Sequence, residues 1–246
     1  MPSTCCRQGC VSRTRGLKRG LHCATAAAAF VLLFSGGAGF GSDSVAATAE
    51  AVQLTQCELY PLAVGSQWLY RSGPLDVREM VVRHETIEGE MCARVETFYE
   101  DRVVSYEHIT VRADGVYRVA VAGKPVQPPL RFISLPAKPG SKWTVDSTVA
   151  GQSLRGEFVS SEGTFAVRSP RGDPDASFKT YRVTGEKFVA AGAEISLTYD
   201  FVAQVGKVKQ VARTAGQETT LELKEFLTPG QVPARTAQGG NSFLRQ

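Results

Sequence analysis

The sequence predicts an all-β protein, an antiparallel, strongly curved sheet or open barrel of about ten strands, with a two-sheet β-sandwich as the alternative. Three observations carry this. Apolar and polar residues alternate with period two through most of the chain, in runs rich in Val, Thr, Tyr and Phe. The gaps between runs are short and hold turn residues, as in Glu88-Gly89-Glu90 and Ala113-Asp114-Gly115, which favours antiparallel neighbours because a parallel crossover needs a dozen or more residues. A third sign is a phrase used twice, Pro61-Leu62-Ala63-Val64-Gly65-Ser66-Gln67-Trp68 and Pro136-Ala137-Lys138-Pro139-Gly140-Ser141-Lys142-Trp143, which takes both tryptophans of the chain. Each copy turns the chain and starts a strand on an aromatic anchor.

In chain order, the first phrase launches Trp68 to Arg71. Alternating runs follow at Arg78 to Ile87, Met91 to Tyr99, Val103 to Arg112 and Val116 to Val121. Ala122 to Leu130 holds Pro125, Pro128 and Pro129 and reads as a bridge between two halves. The second phrase launches Trp143 to Val149, followed by Leu154 to Val159, Thr164 to Arg168 and Phe178 to Val183, with turns expected at Ser161-Glu162-Gly163 and Gly185-Glu186. Ser169 to Ala176 is an exposed loop. The clearest strand is Glu194 to Phe201, where Ile195, Leu197, Tyr199 and Phe201 share one face. Lys207 to Arg213 and Thr219 to Phe226 complete the set. This gives one β domain over residues 50–226, built as halves 57–130 and 131–226, and a disordered tail over 227–246.

Residues 1–49 have the order of a secretory signal: Arg7, Arg13, Arg15, Lys18 and Arg19, then an apolar run from Ala24 to Phe34, then small residues ending Ala46-Ala47-Thr48-Ala49. The apolar run is short for a membrane span of about 20 residues. Export to the periplasm or the exterior is the expectation, with cleavage near 46–49 and no integral membrane span afterwards. The formal charge of +4 belongs to this segment. Removing its five basic residues and one acidic residue leaves 23 of each sign, so nothing in the mature charge points to nucleic acid or an anionic membrane surface. Four of the six cysteines leave with the segment, and the remaining Cys57 and Cys92 are expected to form a disulfide, worth about 3 to 4 kcal/mol for a loop of this size.

The phrase Tyr60 to Tyr70 and its second copy resemble the "PLxxGxxWxY" pattern of exported, β-rich bacterial proteins of unassigned function. Val205-Gly206-Lys207-Val208-Lys209-Gln210 resembles their "GvGlVk" segment, although Lys207 stands where an apolar residue is usual. Such proteins look similar to the curved half-barrels of periplasmic lipoprotein carriers, which implies a concave apolar face. The resemblance brings no catalytic residues.

Enzyme signatures are missing: there is no H-E-x-x-H, G-x-S-x-G, P-loop or dinucleotide fingerprint. His84 and His108 would converge on a metal only if their strands paired, and Glu96, Glu100 and Asp101 fit a solvated sheet face better than a catalytic carboxylate pair. Arg171-Gly172-Asp173 reads as turn chemistry, and Asn241 begins no glycosylation motif. The aromatic set Trp68, Tyr70, Trp143, Phe158, Phe165, Tyr181, Tyr199 and Phe201 is either core or the lining of an open concave face. The functional expectation is a non-enzymatic exported protein, without cofactor, that binds an apolar ligand such as a lipid chain, or an extended partner segment, on that face. An envelope interaction module acting through a sheet edge is the first alternative and a carboxylate hydrolase the second. A lipid or an envelope protein is the expected partner.

Overall fold

A computed structural model describes residues 54–149, 151–167, 176–190 and 192–231. The signal segment, Arg171-Gly172-Asp173, Asn241 and the tail from 232 onward lie outside them. The strands are β1 (Gln67–Ser72), β2 (Leu75–Ile87), β3 (Glu90–Tyr99), β4 (Arg102–Arg112), β5 (Gly115–Val121), β6 (Lys124–Ser134), β7 (Lys142–Val149), β8 (Gln152–Val167), β9 (Ala176–Ala190), β10 (Ala193–Val202), β11 (Gly206–Thr214) and β12 (Gln217–Leu227). Every strand pairs antiparallel with its neighbours in sequence, and β1 pairs with β12, so the meander closes into a barrel. The all-β, antiparallel class is as expected. The detail differs: twelve strands in a closed barrel replace about ten in an open one, and there is no sandwich.

The departures have local causes. Residues 122–130 are not a bridge, because β6 runs through all three prolines and pairs with β5 at Lys124 and Pro125 and again from Leu130 to Ser134, with a register shift between the two stretches. Its side toward β7 is another matter: pairing there is confined to Val126↔Val149 and Gln127↔Thr148, since Pro128 and Pro129 have no N–H to donate. The turns expected at Ser161-Glu162-Gly163 and Gly185-Glu186 are strand interior. There glycine makes room for a neighbour: a side chain at Gly185 would overlap the Phe188 and Phe158 rings, and one at Gly163 would meet Thr180 and Asp200. Leu154–Val159 and the run after it are therefore one strand, β8.

The two tryptophan phrases make the same backbone bonds. Gly65 N–H donates to the Val81 carbonyl at 2.8 Å and Val81 N–H to Ser66 at 3.0 Å; Gly140 N–H donates to Ser160 at 2.8 Å and Ser160 N–H to Ser141 at 2.9 Å. Gly65 and Gly140 sit at φ of 95° and 84°, a region that glycine enters without steric cost. Both indoles donate to carbonyls, Trp68 to Val205 at 2.6 Å and Trp143 to Arg131 at 2.9 Å.

Residues before β1 cross one end of the barrel. Leu54, Cys57, Tyr60 and Leu62 belong to the same buried cluster as the inward side chains of the strands. Gln204 N–H donates to the Glu58 carbonyl, and His84 Nε2 donates to the Leu62 carbonyl, both at 2.6 Å. The opposite face of the wall is polar: Arg71, Asp76, Arg83, Lys142, Asp146, Arg155, Arg213, Glu218 and Glu222 are exposed.

The expected Cys57–Cys92 disulfide is not formed; both are free, buried thiols. Cys57 lies in the core cluster, whereas Cys92 lies outside it, opposite Glu85 in the β2–β3 ladder, and points its Sγ at the Glu90 carbonyl at 3.4 Å. Burial pushes both thiols up, Cys92 to about 11, so neither offers much thiolate near neutral pH. Alkylation after denaturation without reductant is expected to label both cysteine peptides fully. Recovery of a linked Cys57–Cys92 peptide in mass spectrometry would contradict this assignment.

Candidate functional site

The inside of the barrel is divided by chemistry. One side is a sheet of rings. Tyr60 stacks on Trp68 with centroids 5.6 Å apart and meets Phe132 and Phe201 edge-on. Phe158 joins Trp143 at 5.6 Å, Phe188 at 4.7 Å and Tyr199 at 6.4 Å, and Tyr199 stacks on Phe201 at 6.0 Å. Of the aromatic set singled out from the sequence, Trp68, Tyr70, Trp143, Phe158, Tyr181, Tyr199 and Phe201 belong to this core cluster; Phe165 is buried too, but apart from it. Among the described residues these rings are buried and pack on one another, the core member of the two readings the sequence left open.

The other side is charged. Lys207 on β11 donates to Glu79 Oε1 on β2 at 2.8 Å, and both side chains are 7% exposed. Lys207 Nζ also donates to Gln210 Oε1 at 3.1 Å, and Tyr70 donates its hydroxyl to the Lys207 carbonyl at 2.9 Å. Arg118 on β5 pairs with Glu107 on β4. Glu79 and Glu107 face inward because they share the strand parity of the core: Glu79 lies between Val77 and Val81, and Glu107 precedes Ile109 by two; Lys207 does so through the β10–β11 bulge that sets it opposite Phe201. Burial alone would raise the Glu107 carboxyl, but Arg118 and Lys207 outweigh it and hold it below the usual glutamate range. Its charge therefore stabilises the fold above that range, and the contribution is lost as pH falls through the lowered value. Burial, with Glu79 second, raises the Tyr60 and Tyr70 hydroxyls.

Between the two pairs is a half-enclosed pocket of about 50 Å³, lined by Glu79, Thr97, Ser105, Glu107, Arg118 and Gln210 among others. Glu79 Oε2 is fully buried, and the Tyr70 hydroxyl neighbours the Glu79 carboxylate. Two carboxylates thus share one pocket, but each is matched by a cation. A general acid needs a raised pKa, and Glu107 is shifted the other way.

A second opening lies in the wall. Where β6 and β7 part, a cleft of about 220 Å³ is bounded by Asp114, Tyr117, Pro128, Pro129, Leu130, Arg131 and residues 144–147 of β7. All eight residues of β7 pair with β8 on the other side.

The remaining candidates do not converge. His84 and His108 sit on β2 and β4, which are separated by β3; His108 Nε2 meets Glu85 Oε1 at 2.5 Å. Among the described residues no group of three His, Cys, Asp or Glu side chains could hold a metal. Glu96 pairs with Arg94 at 2.8 Å, and Asp101 with Arg78 at 3.3 Å in an exposed turn. None of the interior charged residues was singled out from the sequence as a site. For Glu79, Glu107 and Arg118 the signal was present, since each is a charge in phase with apolar neighbours; Lys207 sits at the β10–β11 bulge, out of phase with Ala212.

No family model matches the chain, and no curated protein matches it. Among solved structures, the chain is similar to a protein from Bacteroides fragilis with a YmcC-like fold, considered to be exported. The identity is 13% and the TM-score 0.40, over 69% of this chain and 99% of that one.

Proposed function

We propose that the chain is a non-enzymatic exported protein that binds an extended partner segment at the β6–β7 opening of its wall. The observation that carries this is the unequal pairing of β7, which is laddered to β8 along its whole length and to β6 at only two positions. A strand with one side unpaired is a template for a further strand, and prolines on the facing side leave backbone groups of β7 without a rival. The packed ring cluster supports the same reading, because a lipid chain needs a cavity of several hundred Å³ and, among the described residues, these rings occupy the side of the interior where an apolar chain would lie. The outward charges fit a barrel surrounded by water, since a membrane-spanning barrel carries an apolar band outside. The basic, apolar and small-residue order of residues 1–49 supports export.

The test is site-specific photocrosslinking in cells that export the chain. A crosslinker at Tyr117 or Asp146 should give adducts of one common mass, absent when it stands at Arg213 on β11. The same adducts at all three positions, or stoichiometric lipid in an organic extract of the purified protein, would overturn the proposal.

A further inference from the structure

The β6–β7 gap lies in a seam whose two sides already match. Carrying the register of Val126↔Val149 and Gln127↔Thr148 across it sets Pro129 opposite Asp146, Leu130 opposite Val145, Arg131 opposite Thr144 and Phe132 opposite Trp143. Leu130, Phe132, Val145 and Trp143 are buried, whereas Thr144 and Asp146 are exposed and Arg131 is half-buried, so inward residues meet inward ones and outward residues outward ones. The closed β1–β12 seam supports the same register, because it pairs Trp68 with Phe226 as this one would pair Trp143 with Phe132. The side-chain pattern favours a ladder here.

The backbone opposes it. Ser160 N–H donates to the Ser141 carbonyl, so alternation along β7 turns the N–H and C=O of Trp143, Val145 and Ser147 toward β8 and those of Thr144 and Asp146 toward β6. On β6 the Arg131 carbonyl faces β7, since it accepts from the Trp143 indole at 2.9 Å, and Pro129, two residues earlier, faces the same way. Pro128 is turned to the β5 side, where the register shifts between Arg118 and Ala120. An N–H at position 129 would donate to the Asp146 carbonyl; proline has none, and its ring stands where that hydrogen would lie.

We infer that Pro129 is a wedge: it keeps the seam from zipping at Asp146 and so positions the free edge of β7. This rests on the partner-binding reading of the opening and adds what the partner must bring. Its residue opposite Asp146 supplies the N–H that Pro129 lacks, so a proline cannot stand there. The free edge runs from Thr144 to Ser147, between the Trp143–Arg131 bond and the Gln127↔Thr148 pair, about 13 Å of strand. The partner therefore enters with about four residues.

Amide hydrogen exchange read by NMR tests the wedge with no partner present. In the wild-type protein the Thr144 and Asp146 amides are expected to exchange about tenfold or more faster than those of Val145 and Ser147, which bond to β8. Pro129→Val should slow Asp146 by about tenfold or more, Pro129→Ala should act in the same direction, and Pro125→Val, outside the gap, should leave it unchanged; melting curves confirm that the variants fold. An Asp146 amide as protected in wild type as its neighbours, or one that neither Pro129 variant slows, would overturn the inference. Closure by Pro129→Val should also abolish the adducts from crosslinkers at Tyr117 and Asp146. Adducts that persist through closure would leave the wedge standing and overturn the partner site instead.

Discussion

Replacing Trp68 by alanine is expected to cost the fold about 3 to 5 kcal/mol, the range for deleting a large buried aromatic side chain. The position concentrates several contacts in one residue. The ring is fully buried, stacked on Tyr60 at 5.6 Å and packed on Phe226 at 5.6 Å, and its Nε1 donates to the Val205 carbonyl. Those partners come from three places: the segment crossing the barrel end, the last strand, and the β10–β11 turn. Trp68 therefore ties the closing β1–β12 seam to the end plug, and its loss leaves a cavity that no single neighbour can fill. Trp68→Phe separates the two contributions, because it keeps a ring and leaves the Val205 carbonyl without its donor; about 1 to 2 kcal/mol is expected. Urea midpoints read both, and a loss below about 1 kcal/mol for the alanine variant would mean that the barrel end is held otherwise.

Much of this architecture was legible in the sequence because period-two alternation survives wherever one face meets the core and the other meets water. β7 is the plainest case, with Trp143, Val145, Ser147 and Val149 buried and every intervening residue exposed. Legibility failed where a residue type usually signals a turn but serves packing. Gly163 and Gly185 punctuated the pattern, yet they are gaps cut for Asp200 and for the Phe158 and Phe188 rings. Pro125, Pro128 and Pro129 hid β6 for a related reason: the strand pairs with β5 at Lys124 and Pro125 and again from Leu130, and Pro128 and Pro129 fall in the irregular stretch between. Barrel closure itself was out of reach, since the pairing of Gln67 with Leu227 joins the two ends of the domain and leaves no local trace.

The candidate sites divide the same way. The aromatic residues were identified as core or lining, and their mutual packing, down to 4.7 Å between Phe158 and Phe188, resolves that choice toward core. The cysteine pair was misjudged because export and an even count favour a disulfide, while the register that sends Cys92 to the Glu85 position of the ladder depends on a bulge between Val81 and Arg83. Lys207 was noticed only as an intruder in an apolar strand. Its meaning depends on Glu79, 128 residues away in the chain, and no pattern within either strand reveals such a pairing.

That ion pair sets up the second large effect. Lys207→Met is expected to destabilise the protein by about 3 to 5 kcal/mol, because it leaves Glu79 buried with no cation and strips Gln210 Oε1 of its donor. The backbone carbonyl that accepts from Tyr70 is unchanged by the substitution, so the loss is assignable to charge and not to a broken ladder. The decisive comparison is the double variant Lys207→Met with Glu79→Met. If the pair exists chiefly to neutralise itself, replacing both members by apolar side chains of similar length should recover most of the loss, and a net gain of about 1 to 4 kcal/mol over wild type has precedent in other buried pairs. A barrel that needed only a packed interior would not retain the charged version. Recovery of stability would show that the pair adds no net stability of its own. Stability that stays low in the double variant would assign it instead to holding β2 and β11 in place across the barrel.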